Sequence, residues 1–171
     1  IMGNGAPGIP MRIVNTENGN TRTTISETSF PGPKAIGAKD AQTFVTIRDS
    51  RMEDIGILHN VTKLFAQNGL SIDVLSSETA TIELTVDGKI PEEVLRQLES
   101  QFRSCTIETN SCTVVLVGNM VKKNRGAVHA LVDTSEQYRH TLTEGPDSMT
   151  VVIPQREADE LIRTLYERVF K

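Results

Sequence analysis

Apolar residues along this chain recur at two spacings, and the switches between them mark out its elements. From Thr43 an alternating run through Phe44, Val45 and Ile47 reads as a strand that stops at Asp49-Ser50. Ile57, Leu58, Val61, Leu64 and Phe65 then follow the spacing of one helix face, and Asn68-Gly69 closes that helix. Residues 71–76 and 79–86 read as two strands, and Asp87-Gly88 supplies a turn. Pro91 suits the first position of a second helix, made amphipathic by Val94, Leu95, Leu98 and Phe102. Residues 105–109 form one more short strand, so the order is βαββαβ.

The same order restarts at Thr113. Residues 114–118 read as a strand, Val128, Leu131 and Val132 mark a helix, and 138–143 and 148–153 read as strands. A closing helix runs on Ala158, Leu161, Ile162, Leu165 and Val169. The halves also align by residue. Ile55-Gly56-Ile57-Leu58-His59 matches Arg125-Gly126-Ala127-Val128-His129, and Val94, Leu95, Leu98 and Phe102 match Leu161, Ile162, Leu165 and Val169. Two such matches in the same order identify a tandem repeat.

The second repeat reaches Lys171 on its last helix, without a counterpart of the strand at 105–109. A sheet short of that strand exposes unpaired backbone groups at its edge. Residues 34–39, just upstream of the first repeat, can fill the gap. We therefore expect Ala35 to Ala38 to pair into the second unit, which places the first unit inside the second. The fold class is α+β, with two ferredoxin-like βαββαβ modules in tandem, the first inserted in the second.

The N-terminal forty residues break this regularity. Gly3, Gly5, Pro7, Gly8 and Pro10 show little period, and a short apolar alternation at Met11, Ile13 and Val14 precedes a polar stretch over 15–24. Phe30-Pro31-Gly32-Pro33 is a turn or linker signal. This stretch reads as a strand from a larger unit, followed by a connector.

Composition narrows the function classes. With 4% aromatic residues among 37% hydrophobic ones, the cores are built from Val, Ile and Leu. A formal charge of -4 argues against a broad phosphate-binding face, and RNA binding on a ferredoxin-like sheet would need the aromatics and basic surface that are scarce here. No apolar run is long enough to cross a bilayer and no signal-peptide pattern opens the chain, so the expectation is a cytoplasmic protein without a membrane partner. Cys105 and Cys112 read as reduced, buried thiols. His59 and His129 occupy equivalent helical positions in the two repeats, so symmetry accounts for them, and no metal is expected there or at His140. The N-terminal glycines lead into neither a helix nor a Lys-Ser or Lys-Thr pair, as a phosphate cradle would.

Particular residues add a resemblance. Phe44-Val45-Thr46-Ile47 before Arg51-Met52 and Gly56-Ile57-Leu58 resembles the start of the first ACT module of aspartate kinases. Ser71-Ile72-Asp73-Val74-Leu75 and Ile82-Glu83-Leu84-Thr85-Val86-Asp87 are similar to its central strands. Val115-Leu116-Val117-Gly118-Asn119 resembles the opening of the second module. Gly145 to Met149, Val151-Val152-Ile153-Pro154 and Leu165-Tyr166-Glu167-Arg168-Val169-Phe170 resemble its close. Upstream, Ile9-Pro10-Met11-Arg12-Ile13-Val14-Asn15-Thr16 resembles the last strand of the kinase catalytic domain, and Lys34-Ala35-Ile36 the linker strand after it.

The resemblance implies the regulatory region of an enzyme that phosphorylates L-aspartate with ATP, the first step of lysine, threonine and methionine biosynthesis. Residues 1–33 would be the end of the kinase domain and a linker, 43–110 the first ACT module, and 34–42 with 111–171 the second. In that family ACT modules pair across subunits and bind an end-product amino acid, commonly lysine or threonine, which inhibits the kinase. The expected partners are therefore that free amino acid, a second copy of the chain and the kinase catalytic domain. ATP and Mg belong to the parent's kinase domain, whose Lys-containing, glycine-rich segment has no counterpart here. This chain is expected to hold no cofactor and no catalytic residue. The competing expectation is a tandem ACT module that dimerises subunits and senses nothing.

A free amino acid needs donors for its carboxylate and an acceptor for its ammonium. The loop from Asp49 to Gly56 suits the carboxylate, because unpaired N–H groups at a helix start attract anions and Gly56 lets a ligand approach the backbone. Asp54 in that loop would repel a carboxylate unless it turns to solvent. Asp73 is a natural partner for the ammonium, and the family uses an aspartate at the matching position for its effector. Met52, Ile57, Leu58 and Ile72 would line the ligand's apolar side, and Ser76, Ser77 and Glu78 would face it across a dimer. The position matching Asp73 in the second repeat is His140, which supplies no fixed negative charge, so the first module should dominate sensing. Lysine-sensitive relatives carry Thr-Ser-Glu at the turn where this chain reads Ser76-Ser77-Glu78-Thr79, with the glutamate one place early. The loop before Gly56 is also one residue short, which leaves the effector's identity open.

Overall fold

The computed structural model describes residues 11–14, 22–25, 31–51, 56–137 and 139–171, in two units. In the first unit, β1 (Met11–Val14) and β2 (Arg22–Ile25) pair antiparallel, with Met11 opposite Ile25 and Val14 opposite Arg22. The second strand falls in a stretch that the sequence shows as polar, because it lacks an apolar alternation to announce it.

The second unit, from Gly32 to Lys171, holds the repeat. Its elements are β3 (Gly32–Arg48), α1 (Ile57–Gln67), β4 (Ile72–Glu78), β5 (Thr81–Asp87), α2 (Glu92–Gln101), β6 (Ser104–Asn119), α3 (Arg125–Ser135), β7 (Thr141–Glu144), β8 (Ser148–Pro154) and α4 (Ala158–Phe170). The six strands form one antiparallel sheet in the order β4-β5-β3-β6-β8-β7. The architecture is α+β and built from two βαββαβ repeats.

The two central strands are long, 17 residues in β3 and 16 in β6, and each serves both repeats. Residues 42–48 of β3 pair with β5 on one side and with 104–111 of β6 on the other. The upstream half pairs with β6 further on, Ala35 opposite Val117 and Ala38 opposite Val114. The sequence breaks each of these strands in two because apolar alternation lapses at the polar residues between the halves. The backbone does not stop there. It bends, with register shifts between Lys39 and Gln42 and between Gln42 and Phe44. Ala41 (φ 56°) and Asn110 (φ 58°) take the left-handed conformation at the two bends. A non-glycine residue adopts it rarely, and irregular pairing of this kind turns a strand and raises its twist.

Each repeat encloses its own core. Val45 and Ile47 of β3, Val61 and Phe65 of α1, Leu84 and Val86 of β5 and Val94 and Leu98 of α2 form the first. Val114 and Leu116 of β6, Leu131 of α3, Met149 and Val151 of β8 and Leu161 and Leu165 of α4 form the second, with Ile36 of β3 packed on it. A third cluster joins Phe44, Val74 and Val152. Phe44 alternates with Val45, and Val152 with Val151 and Ile153, so this cluster lies on the face of the sheet turned away from the helices. Residues 42–47 of β3 are consequently buried on both faces.

Helix starts follow local chemistry. Pro91 stands one place before α2, as its cap, and Glu92 and Glu93 put negative charge in the first turn where the helix dipole favours it. The Asn124 side chain accepts from the Ala127 N–H at 3.0 Å and caps α3. Residues 139–140, expected in a strand, precede it. The Arg139 N–H still donates to the Ser135 carbonyl, so the turn after α3 reaches further than its apolar pattern. Both thiols are free, and burial pushes Cys105 up to about 11 and Cys112 up to about 12, so they stay protonated at neutral pH.

Candidate functional site

β4 lies at one end of the sheet, and its pairing with β5 slips between Ile72 and Leu75. Ile72 packs against the first core, whereas Val74 joins Phe44 on the opposite face. Thr85, fully buried on β5, compensates for the slip by accepting from the Val74 N–H at 3.1 Å. This irregularity carries Asp73 to the face away from the helices.

There Asp73 is already engaged. Its Oδ2 accepts from Lys39 Nζ at 2.5 Å and from Gln42 Nε2 at 2.5 Å. Lys39 also reaches Asp87, at 2.7 Å to Oδ1 and 3.0 Å to Oδ2. Gln42 is fully buried, and its Oε1 accepts from the Thr113 hydroxyl. Strands β6, β3, β4 and β5 are thus tied through side chains at the bend of β3. Hydrogen bonds to Asp73, then to Asp87, raise the Lys39 ammonium above its ordinary value, and the bond from Lys39 holds Asp87 below its own.

The second repeat has a counterpart. Lys39 stands opposite Thr113 and Glu108 opposite Phe44, each two residues before a left-handed bend residue, Ala41 or Asn110. Glu108 Oε2 lies 3.5 Å from Nε2 of His140, the position that matches Asp73. His140 also stacks on Phe44 with ring centroids 4.9 Å apart. A side-chain contact thus recurs at the matching positions, with Glu108 in the place of Lys39 and His140 in the place of Asp73.

The other residues assigned from sequence sit elsewhere in the first repeat. Gly56, at φ 92°, precedes α1, has no side chain with which to cap it, and faces open space where a Cβ would stand. Ile57 packs against the first core and Leu58 is 41% exposed. The start of this loop is fixed by Asp49, which accepts from Arg51 N–H, Nε and Nη2 and from the Arg103 N–H. Ser76, Ser77 and Glu78 finish β4 opposite Glu83, Ile82 and Thr81. Met52 and Asp54 lie outside the described residues. Within one chain, Ile57 and Ile72 both pack against the first core on the helix-covered face, and the Asp73 carboxylate stands on the other.

Lys39, Gln42, Asp87 and Thr113 around Asp73 are not legible in the sequence. Lys39 and Gln42 leave one signal, the largely polar run through 39–43 inside an otherwise strand-like stretch, which reads as a break and not as a network. A cavity of about 430 Å³ opens beside Gln42, lined by Ala41, Thr43, Gly88, Lys89, Thr109 and Asn110. A larger one, of about 730 Å³, lies on the second repeat between Lys34–Ile36 and the Ile162, Tyr166 and Phe170 face of α4, away from every residue assigned from sequence.

No family model and no curated protein matches the sequence. Solved structures do match in fold. Aspartate kinase from Clostridium acetobutylicum superposes with a TM-score of 0.79 at 16% identity, over 95% of this chain and 41% of that one. Aspartokinase III of E. coli, in its complex with lysine and aspartate, gives 0.72 at 20% identity over 86% and 35%. The ligand-free regulatory subunit of aspartate kinase from Thermus thermophilus gives 0.67 at 15% identity, over 80% of this chain and 97% of that one. The chain therefore spans about two fifths or less of these two kinases and nearly all of this regulatory subunit. Two interlocked βαββαβ repeats on one six-stranded sheet are the fold of the regulatory region of aspartate kinases.

Proposed function

We propose that this chain is the allosteric regulatory region of an aspartate kinase, which binds an end-product amino acid and passes the event to the kinase domain. The observation that carries this reading is the match to a regulatory subunit over nearly that subunit's whole length. Its modules are 43–110 for the first and 34–42 with 111–171 for the second, in keeping with the two cores and the shared strands. Residues 1–33 are the end of the catalytic domain and its linker. Phosphoryl transfer to aspartate, with its ATP and Mg, belongs to that domain, in the cytoplasm.

The effector is lysine or threonine. Asp73 takes its ammonium, and the start of α1 at Gly56, Ile57 and Leu58, with Met52 and Asp54 in the loop before it, takes the carboxylate and the apolar side. Because Asp73 and α1 address opposite faces of the sheet in one chain, the site is completed across a homodimer, where Ile72, Ser76, Ser77 and Glu78 of one protomer meet the loop of its partner. Lysine complexed with aspartokinase III supports an amino acid as the ligand class.

Calorimetric titration with lysine and threonine tests the assignment. Asp73→Ala removes the ion pair to the ammonium and should weaken binding by about tenfold or more, whereas His140→Ala should leave it within about twofold, since losing a charge-assisted bond costs ~1.5–3 kcal/mol. Equal losses would contradict a dominant first module. The second reading, a tandem ACT module that dimerises without sensing, is favoured by one fact: Lys39 and Gln42 already occupy Asp73. It predicts no heat with any amino acid.

A further inference from the structure

We propose that Lys39 is an internal occupant of the effector's ammonium seat, and that the amino acid binds by displacing it from Asp73. The inference rests on the sensor reading above and adds a competitor and a route for the signal. Three observations carry it. Lys39 presents to Asp73 the same group, a primary ammonium, that a free amino acid would present, and at 2.5 Å the carboxylate Oδ2 is fully engaged by it and by Gln42.

The contact is also displaceable. The Lys39 side chain is 48% exposed and that of Asp73 27%. Ion pairs so open to water are worth little, so one ammonium can replace another with no net change in charge. Once displaced, Lys39 keeps Asp87, 2.7 Å away, as a resting partner.

Finally, Lys39 connects the two modules. It belongs to the half of β3 that pairs with the second module's part of β6, while Asp73 and Asp87 belong to the first module. Between them lies the left-handed Ala41, whose carbonyl accepts from Gly88 N–H at the end of β5 and whose N–H donates to Gln155 Oε1 beyond β8, each at 3.0 Å. Removing Lys39 from Asp73 loosens one side of a bend tied to both modules. The differential contact that allostery requires is then specific: Asp73 holds Lys39 in one state and the effector in the other.

Lys39→Met and Lys39→Arg test the proposal in the full chain. Carboxyl NMR titration of the ligand-free proteins reads the clasp itself. Asp87 should titrate below an ordinary aspartate in wild type and Lys39→Arg, and return toward the ordinary value in Lys39→Met. Calorimetry with lysine and with threonine reads the competition. An exposed clasp that keeps the seat mostly filled lowers apparent affinity, so Lys39→Met should bind about fivefold tighter than wild type, and Lys39→Arg about as wild type does. An Asp87 titration unmoved in Lys39→Met would overturn the clasp. Equal or weaker binding by Lys39→Met, with wild type binding, would overturn the displacement and leave the sensor reading standing. Absence of binding by either protein would overturn the sensor reading and the displacement together.

Discussion

Asp49 shows how a single carboxylate can set a loop. It is buried at the end of β3 and accepts from the Arg51 backbone and guanidinium and from the Arg103 N–H, which ties the loop before α1 to the start of β6. The Arg51 side chain is the main cause that holds this carboxyl well below the usual aspartate range. An unfolded aspartate titrates near ~3.9. The folded pKa is lower, so the stabilisation is complete above about pH 4 and is lost as pH falls below it. Asp49→Asn should therefore lower the urea midpoint at pH 7, and the gap to wild type should narrow by pH 3. A gap that stays constant with pH would contradict a charged role. Asp49 is legible in sequence as the point where a strand stops and the loop to Gly56 begins. The fixed partner, Arg103, is distant in the chain and carries no local signal. Asp73 was legible as a charged residue beside a strand start, but its bulge and its Lys39 and Gln42 partners were not, because strand slips leave no periodic trace.

Elements are legible in sequence where apolar residues repeat and obscure where they pause. The helices at 57–67 and 158–170 follow their spacing closely, since most of each face meets a core. In sequence β3 and β6 each look like two pieces, because Lys39-Asp40-Ala41-Gln42 and Thr109-Asn110-Ser111 interrupt the alternation while the backbone runs on. Their close approach at the far end makes a second prediction. A Cβ on Gly118 of β6 would sit 2.1 Å from the Gly32 carbonyl oxygen and 2.7 Å from Pro33 Cα, so backbone must move to admit it. Gly118→Ala should cost about 1–3 kcal/mol by chemical denaturation, the usual range for overpacking. Gly126, in the first turn of α3, meets nothing closer than Asn124 Oδ1 at 3.5 Å. Gly126→Ala should be neutral or stabilise by about 0.5 kcal/mol through the unfolded chain's entropy. The reverse order of these two effects would contradict this packing.

For the whole molecule, element order and residue matches between the halves make the tandem repeat legible, and the pairing of 35–38 with β6 interlocks the two halves. Assembly is not legible, because an edge looks the same in sequence whether or not it is covered. The sheet ends on β4 and β7. β4 offers a ladder edge to a second copy and carries Leu75, 37% exposed. If the homodimer forms there, Leu75→Lys should shift sedimentation toward monomer by about tenfold or more in Kd, since an edge lysine opposes strand addition. An unchanged dimer would move the interface to another face. Whether the chain senses an amino acid is decided by thermal unfolding of the wild-type chain with each of the twenty amino acids at millimolar concentration. A sensor should unfold later with lysine or threonine, by ~2.7 kcal/mol when the ligand stands at 100 times its Kd. No shift with any of the twenty would contradict sensing.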